Sequence, residues 1–281
     1  MTRSIPPSLA RLVEQLELER PAAVSVAQVA EIIARTNVRT PPRVAIQRLA
    51  KRGWLLRTGV RGTWEFAPAD RAGAFSANNP LLPVQAFLLV EETRRPRDAS
   101  AEDGILAEPP TLALASALWL HDLLDRAPER PELAVSRGMS ARSALRRHCR
   151  LVHFRSHLRP VRKGGVYVHS PATVLVHLAH RPQDVRSWAS ILEHLGRLVA
   201  AADPDQVREE LAGRPAATRA RLAYLVRGVA PAWAERLYAT PRGRIWFGPR
   251  QQPKRYDPTL RIVDTVLPVA PADLAAAGAT G

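Results

Sequence analysis

Residues 40–66 read TPPRVAIQRLAKRGWLLRTGVRGTWEF, and basic side chains run through them with no acid before Glu65. Ala45, Ile46, Leu49 and Ala50 recur at the spacing of one helical stripe. Thr40 ahead of Pro41 reads as an N-cap followed by a proline at the first helical position. Gly53 reads as the residue that stops the helix. Beyond it, WLLRTGV and TWEFAPA are β-rich runs around Arg61-Gly62, the pattern of a hairpin. Trp54, Trp64 and Phe66 are expected in the core behind the helix rather than as stacking platforms for single strands.

Working back toward the N-terminus, SLARLVEQLELE (residues 8–19) places Leu9, Leu12, Val13 and Leu16 at i, i+3, i+4 and i+7. SVAQVAEIIART follows, with Ser25 and Gln28 in capping-box register and Val26, Val29, Ala30 and Ile33 as its stripe. Helix, helix, helix and hairpin within residues 1–70 predict a winged helix-turn-helix.

The charge supports a polyanionic partner. The 281 residues carry a net charge of +15 and a pI near 11.3, which favours nucleic acid first and an anionic membrane or acidic protein second. Arginine outnumbers lysine in an Ala- and Pro-rich chain, a composition that GC-rich coding also produces. Coding bias does not segregate charge, however. From Arg35 to Arg61 eight basic residues occur with no acid, and from Arg137 to Gln183 another ten. Acids gather instead in 91–132 and 203–210.

On the third helix Arg43, Gln47 and Lys51 share the face opposite the apolar stripe, at i, i+4 and i+8. In a helix-turn-helix the N-terminal residues of the second helix reach base edges. Arg43 suits a fork onto guanine and Gln47 onto adenine, each worth about 1–3 kcal/mol of discrimination. Arg48, Lys51 and Arg52 lie farther along and suit phosphates, as do Arg39 in the turn and Arg57 and Arg61 on the wing. The competing reading is a solvated basic face on a protein-interaction module.

After a linker over 68–80 and an exposed loop over 93–110, residues 80–270 read as a larger mixed α/β domain. A strongly apolar helix is expected at 111–124, strands at 131–136, 151–155 and 165–170, and helices at 171–180, 184–202, 204–212 and 215–227. RIWFG and TLRIVDTVLP read as late strands, and the last dozen residues as an alanine-rich frayed tail.

Catalytic signatures are scarce. There is no phosphate-binding glycine loop, no H-E-x-x-H and no G-x-S-x-G. His148, Cys149, His153 and His157 have a tempting density, but a strand at 151–155 destroys the helical spacing such metal ligands would need. Asp203 and Asp205 read as a helix cap and a first-turn acid. No enzyme, metal or cofactor is expected. One cysteine excludes an internal disulfide, and the N-terminus lacks the apolar run of a signal peptide, so a cytoplasmic location is expected.

With the first domain placed, LALASALWLHDLLDRAPERPELAVSRG (112–138), GVYVHSPATVLVHLAHRP (165–182), RLAYLVRG (221–228) and YDPTLRIVDTVLP (256–268) resemble segments of AbiEi-family antitoxins. Ala172 and His177 stand where many relatives are acidic. The resemblance implies an α+β chain, a winged helix followed by an antitoxin-type domain. It further implies an autorepressor that binds inverted repeats in its own promoter and counters a nucleotidyltransferase toxin, in many cases without a stable complex. The alternatives are a nuclease that uses the winged helix for docking and a ligand-responsive regulator.

Overall fold

The computed structural model describes residues 4–70, 79–94, 109–136, 142–237 and 243–274. The central part of the expected linker, most of the loop at 93–110, Arg137 and most of the C-terminal tail lie outside the described residues. The chain is a mixed α+β structure in two compact units, Met1–Pro110 with Gly138–Cys149 and Thr111–Arg137 with Arg150–Gly281.

The first unit begins with α1 (Ala10–Glu19), β1 (Ala23–Ser25), α2 (Val26–Thr36), α3 (Pro42–Lys51), β2 (Leu55–Arg57) and β3 (Thr63–Phe66). The strands form an antiparallel sheet in the order β1-β3-β2. Leu9, Leu12, Val13 and Leu16 are all buried, together with Ala45, Ile46, Leu49, Trp54 and Phe66. Each large side chain in such a core contributes about 1.5–3 kcal/mol. On α2 the inward positions are Val29 and Ile32, while Ile33 is only partly buried, so the stripe is rotated from the one expected. Ser25 and Gln28 form the reciprocal capping box.

The start of α3 differs from expectation. Pro41 is the N-cap and Pro42 the first helical residue, and no side chain caps the end. A residue before proline is pushed out of the α region, so the tandem prolines delay the helix by one position and leave Thr40 too early to cap. Its end follows the sequence. Gly53 adopts φ 74°, with Gly53 N–H donating to Ala50 O and Trp54 N–H to Leu49 O. That pair of bonds is the Schellman arrangement. The unit is completed by α4 (Leu82–Arg94), which sets Leu82 and Ala86 against Ala23 and Val60, and by α6 (Arg142–His148).

The second unit is built on a five-stranded sheet in the order β6-β5-β4-β8-β7. Its strands are β4 (Thr111–Leu112), β5 (Glu132–Ala134), β6 (Arg150–Val152), β7 (Val161–Lys163) and β8 (Val166–Val168). The expected helix at 111–124 is therefore corrected. Thr111 and Leu112 pair with β5 and β8 at the middle of the sheet, and α5 runs only from Leu114 to Leu120. Buried Leu114 has φ 49° at the junction and Asp122 φ 61° at the far end, and both breaks fall where local periodicity is silent.

Helices α7 (Pro171–His180), α8 (Trp188–Glu193), α9 (Leu195–Ala201), α10 (Pro204–Leu211), α11 (Ala216–Val226) and α12 (Pro231–Leu237) follow. The single helix expected at 184–202 is thus two, divided at His194. Ser170 caps α7 and Asp203 caps α10, as their positions predict. A small sheet, β10-β11-β9, closes the described chain with β9 (Ile245–Phe247), β10 (Arg255–Asp257) and β11 (Ile262–Asp264). No helix among the described residues is long and apolar enough to cross a membrane.

Candidate nucleic-acid interface

The face of α3 opposite its buried stripe carries Arg43, Gln47 and Lys51, all exposed. Arg48 and Arg52 on the same helix are exposed too, as are Arg39 in the preceding turn, Arg57 at the end of β2 and Arg61 in the β2–β3 turn. None of these eight side chains makes a hydrogen bond or ion pair with any described residue. Arg35, the first cation of the run, is different, because it pairs with Glu19 at 2.7 Å. Glu65, the acid that ends the run, is 2% exposed, so its side chain is not part of this surface. A solvated face usually mixes signs. This one holds seven unpaired cations and a glutamine.

The uncapped start of α3 adds to the positive potential. With no side chain accepting from its first turn, the positive end of the helix dipole faces outward beside Arg43.

The turn carrying Arg61 is held by groups that sequence reading missed. The Thr58 and Thr63 hydroxyls lie 2.6 Å apart, Val60 N–H donates to Thr58 Oγ1 at 3.1 Å, and Thr63 Oγ1 donates to Val60 O at 2.8 Å. Gly59 and Gly62 take φ 83° and 86°, which L side chains avoid. The His148 ring from α6 sits close enough that a Cβ on Gly59 would lie 3.1 Å from Nε2. Arg61-Gly62 marks the turn in the sequence, whereas the hydroxyl bonds leave no trace there beyond two threonines five apart.

The histidines of the second acid-free stretch divide between surface and core. His157 is exposed, whereas His169 and His177 are buried. The His177 ring stacks on Phe154 at 4.0 Å, with His169 and His180 edge-on to the same ring and the Arg214 guanidinium 4.5 Å from its centre. Burial, reinforced by His177 and Arg214, drives the His169 pKa down to about 3. Burial and then Arg214 take His180 down to about 4. His177 is also lowered by burial, against the opposing pull of Asp184 at 3.4 Å. These rings are neutral packing groups at neutral pH.

Beside them Glu210, fully buried, accepts from the Ser156 hydroxyl (2.7 Å), the Thr173 hydroxyl (3.1 Å) and the amides of His157 and Leu158, and it pairs with Arg214. The carboxylate ties the segment after β6 to α7 and α10. Cys149 is buried and His153 faces Val135 O. Among the described residues no three His, Cys, Asp or Glu side chains are grouped to hold a metal.

Comparison with known proteins bears on the second unit. Residues 111–227 match the AbiEi antitoxin C-terminal domain. The matched segment runs from β4 to just past α11 and includes the Phe154–His177–Glu210 core. The crystal structure of the RV2827C protein from Mycobacterium tuberculosis shares the fold, with a TM-score of 0.72 at 22% identity over 99% of this chain and 97% of that one. No curated protein matches the chain.

Proposed function

We propose that this protein is a cytoplasmic, non-enzymatic antitoxin that represses its own operon. Helices α1–α3 and strands β1–β3 act as a winged helix on double-stranded DNA, with α3 in the major groove and the β2–β3 turn as the wing. Arg43 and Gln47 read bases, while Arg39, Arg48, Lys51, Arg52, Arg57 and Arg61 hold the backbone. The observation that carries this reading is that these exposed cations have no carboxylate partner among the described residues, since a surface that keeps its arginines unpaired keeps them for an external anion.

The AbiEi match supports the antitoxin role and, through it, a toxin partner of the nucleotidyltransferase type opposed by the second unit. The binding sites expected are inverted repeats in the promoter.

A gel shift on the DNA upstream of the gene tests the interface. Arg43→Ala and Arg61→Ala will each weaken the complex, and binding like wild type by both removes these residues from it. The same DNA, and labelled RNA, recovered intact after incubation with divalent metal supports a non-enzymatic role. Cleavage would support the docking nuclease instead.

A further inference from the structure

Helix α12 carries Trp233 and Leu237, yet none of its residues is buried. Trp233, Arg236 and Leu237 fall at i, i+3 and i+4, so they share one face. That face borders a groove of about 390 Å³ whose other wall is Pro204, Val207, Arg208 and Leu211, at i, i+3, i+4 and i+7 of α10. Val207 and Leu211 are 2% and 3% exposed and make a closed apolar floor. Two apolar helical stripes thus line one trough with space between them.

The rim has one sign. Among the described residues that line the groove, Arg208, Arg219 and Arg236 are the charged ones and none is a carboxylate. Among the described residues Arg208 pairs with Asp205 on its own helix, with both groups nearly four-fifths exposed, so that pair neutralises little. Arg236 donates to the Ala232 carbonyl, which carries no formal charge, and Arg219 has no hydrogen bond or ion pair among the described residues.

We propose that this groove docks an amphipathic helix of a partner protein, one that presents two or three apolar side chains between Asp and Glu residues. A trough between two helical stripes is the shape a third helix fills, with its anchors at i, i+3 and i+4. Helix α10 has eight residues and spans about 12 Å, so about two turns of the incoming helix make contact. The acidic flanks meet Arg208, Arg219 and Arg236. Nucleic acid fits less well, because Val207 and Leu211 offer a base no stacking surface and Trp233 is the one aromatic among the described lining residues, where a strand needs successive platforms. The proposal goes beyond the antitoxin reading and stands without it.

The test uses the full chain and a short synthetic helical peptide, fluorescein-labelled, with leucines at i, i+3, i+4 and i+7 and glutamates on the flanks. A scrambled peptide of the same composition controls for net charge. Anisotropy will show saturable binding of the patterned peptide, weakened at least about tenfold by Trp233→Ala. Arg219→Glu, at an exposed position that leaves the packing alone, will weaken it severalfold, and exposed Arg250→Ala outside the groove will not. Equal binding of the scrambled peptide, or indifference to Arg219→Glu, overturns the proposal. So does displacement of the peptide by a single-stranded oligonucleotide through Trp233, or self-association abolished by Trp233→Ala; these make the occupant nucleic acid or a second copy.

Discussion

Acidification from pH 7.5 to 5 will destabilise this protein through its buried imidazoles, and His169 provides the size of the effect. The ring is 3% exposed, its Nδ1 has no hydrogen-bond partner among the described residues, and burial first, then His177 and Arg214, lower its pKa from 6.5 to about 3. Above pH 6.5 His169 is neutral folded and unfolded, and it contributes nothing. Below 6.5 the unfolded chain takes up a proton that the folded chain refuses, so stability falls with pH until the ring charges near pH 3. Each pKa unit is worth about 1.4 kcal/mol, so His169 alone removes about 2 kcal/mol by pH 5. Phenylalanine cannot titrate and keeps the edge-on contact with Phe154. Urea unfolding of wild type and His169→Phe at a series of pH values, followed by circular dichroism, isolates the term. The variant's stability will fall by about 2 kcal/mol less between pH 7.5 and 5. Parallel curves for the two proteins would refute the reasoning.

Other perturbations follow from the same contacts. Glu210→Ala strands the Arg214 cation, whose side chain is 8% exposed, and removes the acceptor for two hydroxyls and two amides; it will cost about 3–5 kcal/mol in urea unfolding, and a loss below about 1 kcal/mol contradicts its role. Gly59→Ala and Gly62→Ala both place a side chain at positive φ, but only the first meets the His148 ring, so Gly59→Ala will lower Tm more. Equal shifts would show that the ring gives way freely. On the upstream DNA, Arg43→Ala will cost about 1–3 kcal/mol and relax sequence preference, while Lys51→Ala will weaken specific and random DNA alike; measured affinities for both DNAs decide whether the two residues divide that way.

Much of the first unit was legible because its signals are local. The apolar spacing of Leu9, Leu12, Val13 and Leu16, the Ser25–Gln28 box and the stop at Gly53 each depend on neighbours within a turn or two. The second unit was read less fully because its strands are two or three residues long and take their identity from distant partners. Thr111 and Leu112 sit in an apolar run that reads as helix, and only pairing with β5 and β8 makes them a strand. All three residues of Val161–Lys163 are exposed and two are basic, with no alternation to betray β7. Helix α12 has no sequence signal of its own, since seven residues that open on a proline give little periodicity. Of the candidate interface, the cations and the face they share are legible from spacing. The threonine bonds in the β2–β3 turn and the His148 ring behind Gly59 depend on contacts across the fold. The pairing of Arg35 with Glu19 spans 16 residues and was equally invisible to composition.

Salt dependence tests the central claim most directly. If the α3 face and the β2–β3 turn neutralise about six phosphates, log K for the upstream DNA will fall with log salt at a slope near −5, a loss of about 10³-fold between 50 and 200 mM. Replacing Arg48, Lys51 and Arg52 by alanine will reduce that slope by about 3. A flat salt response in the wild-type chain, or a slope untouched by the triple substitution, would contradict DNA binding through this face.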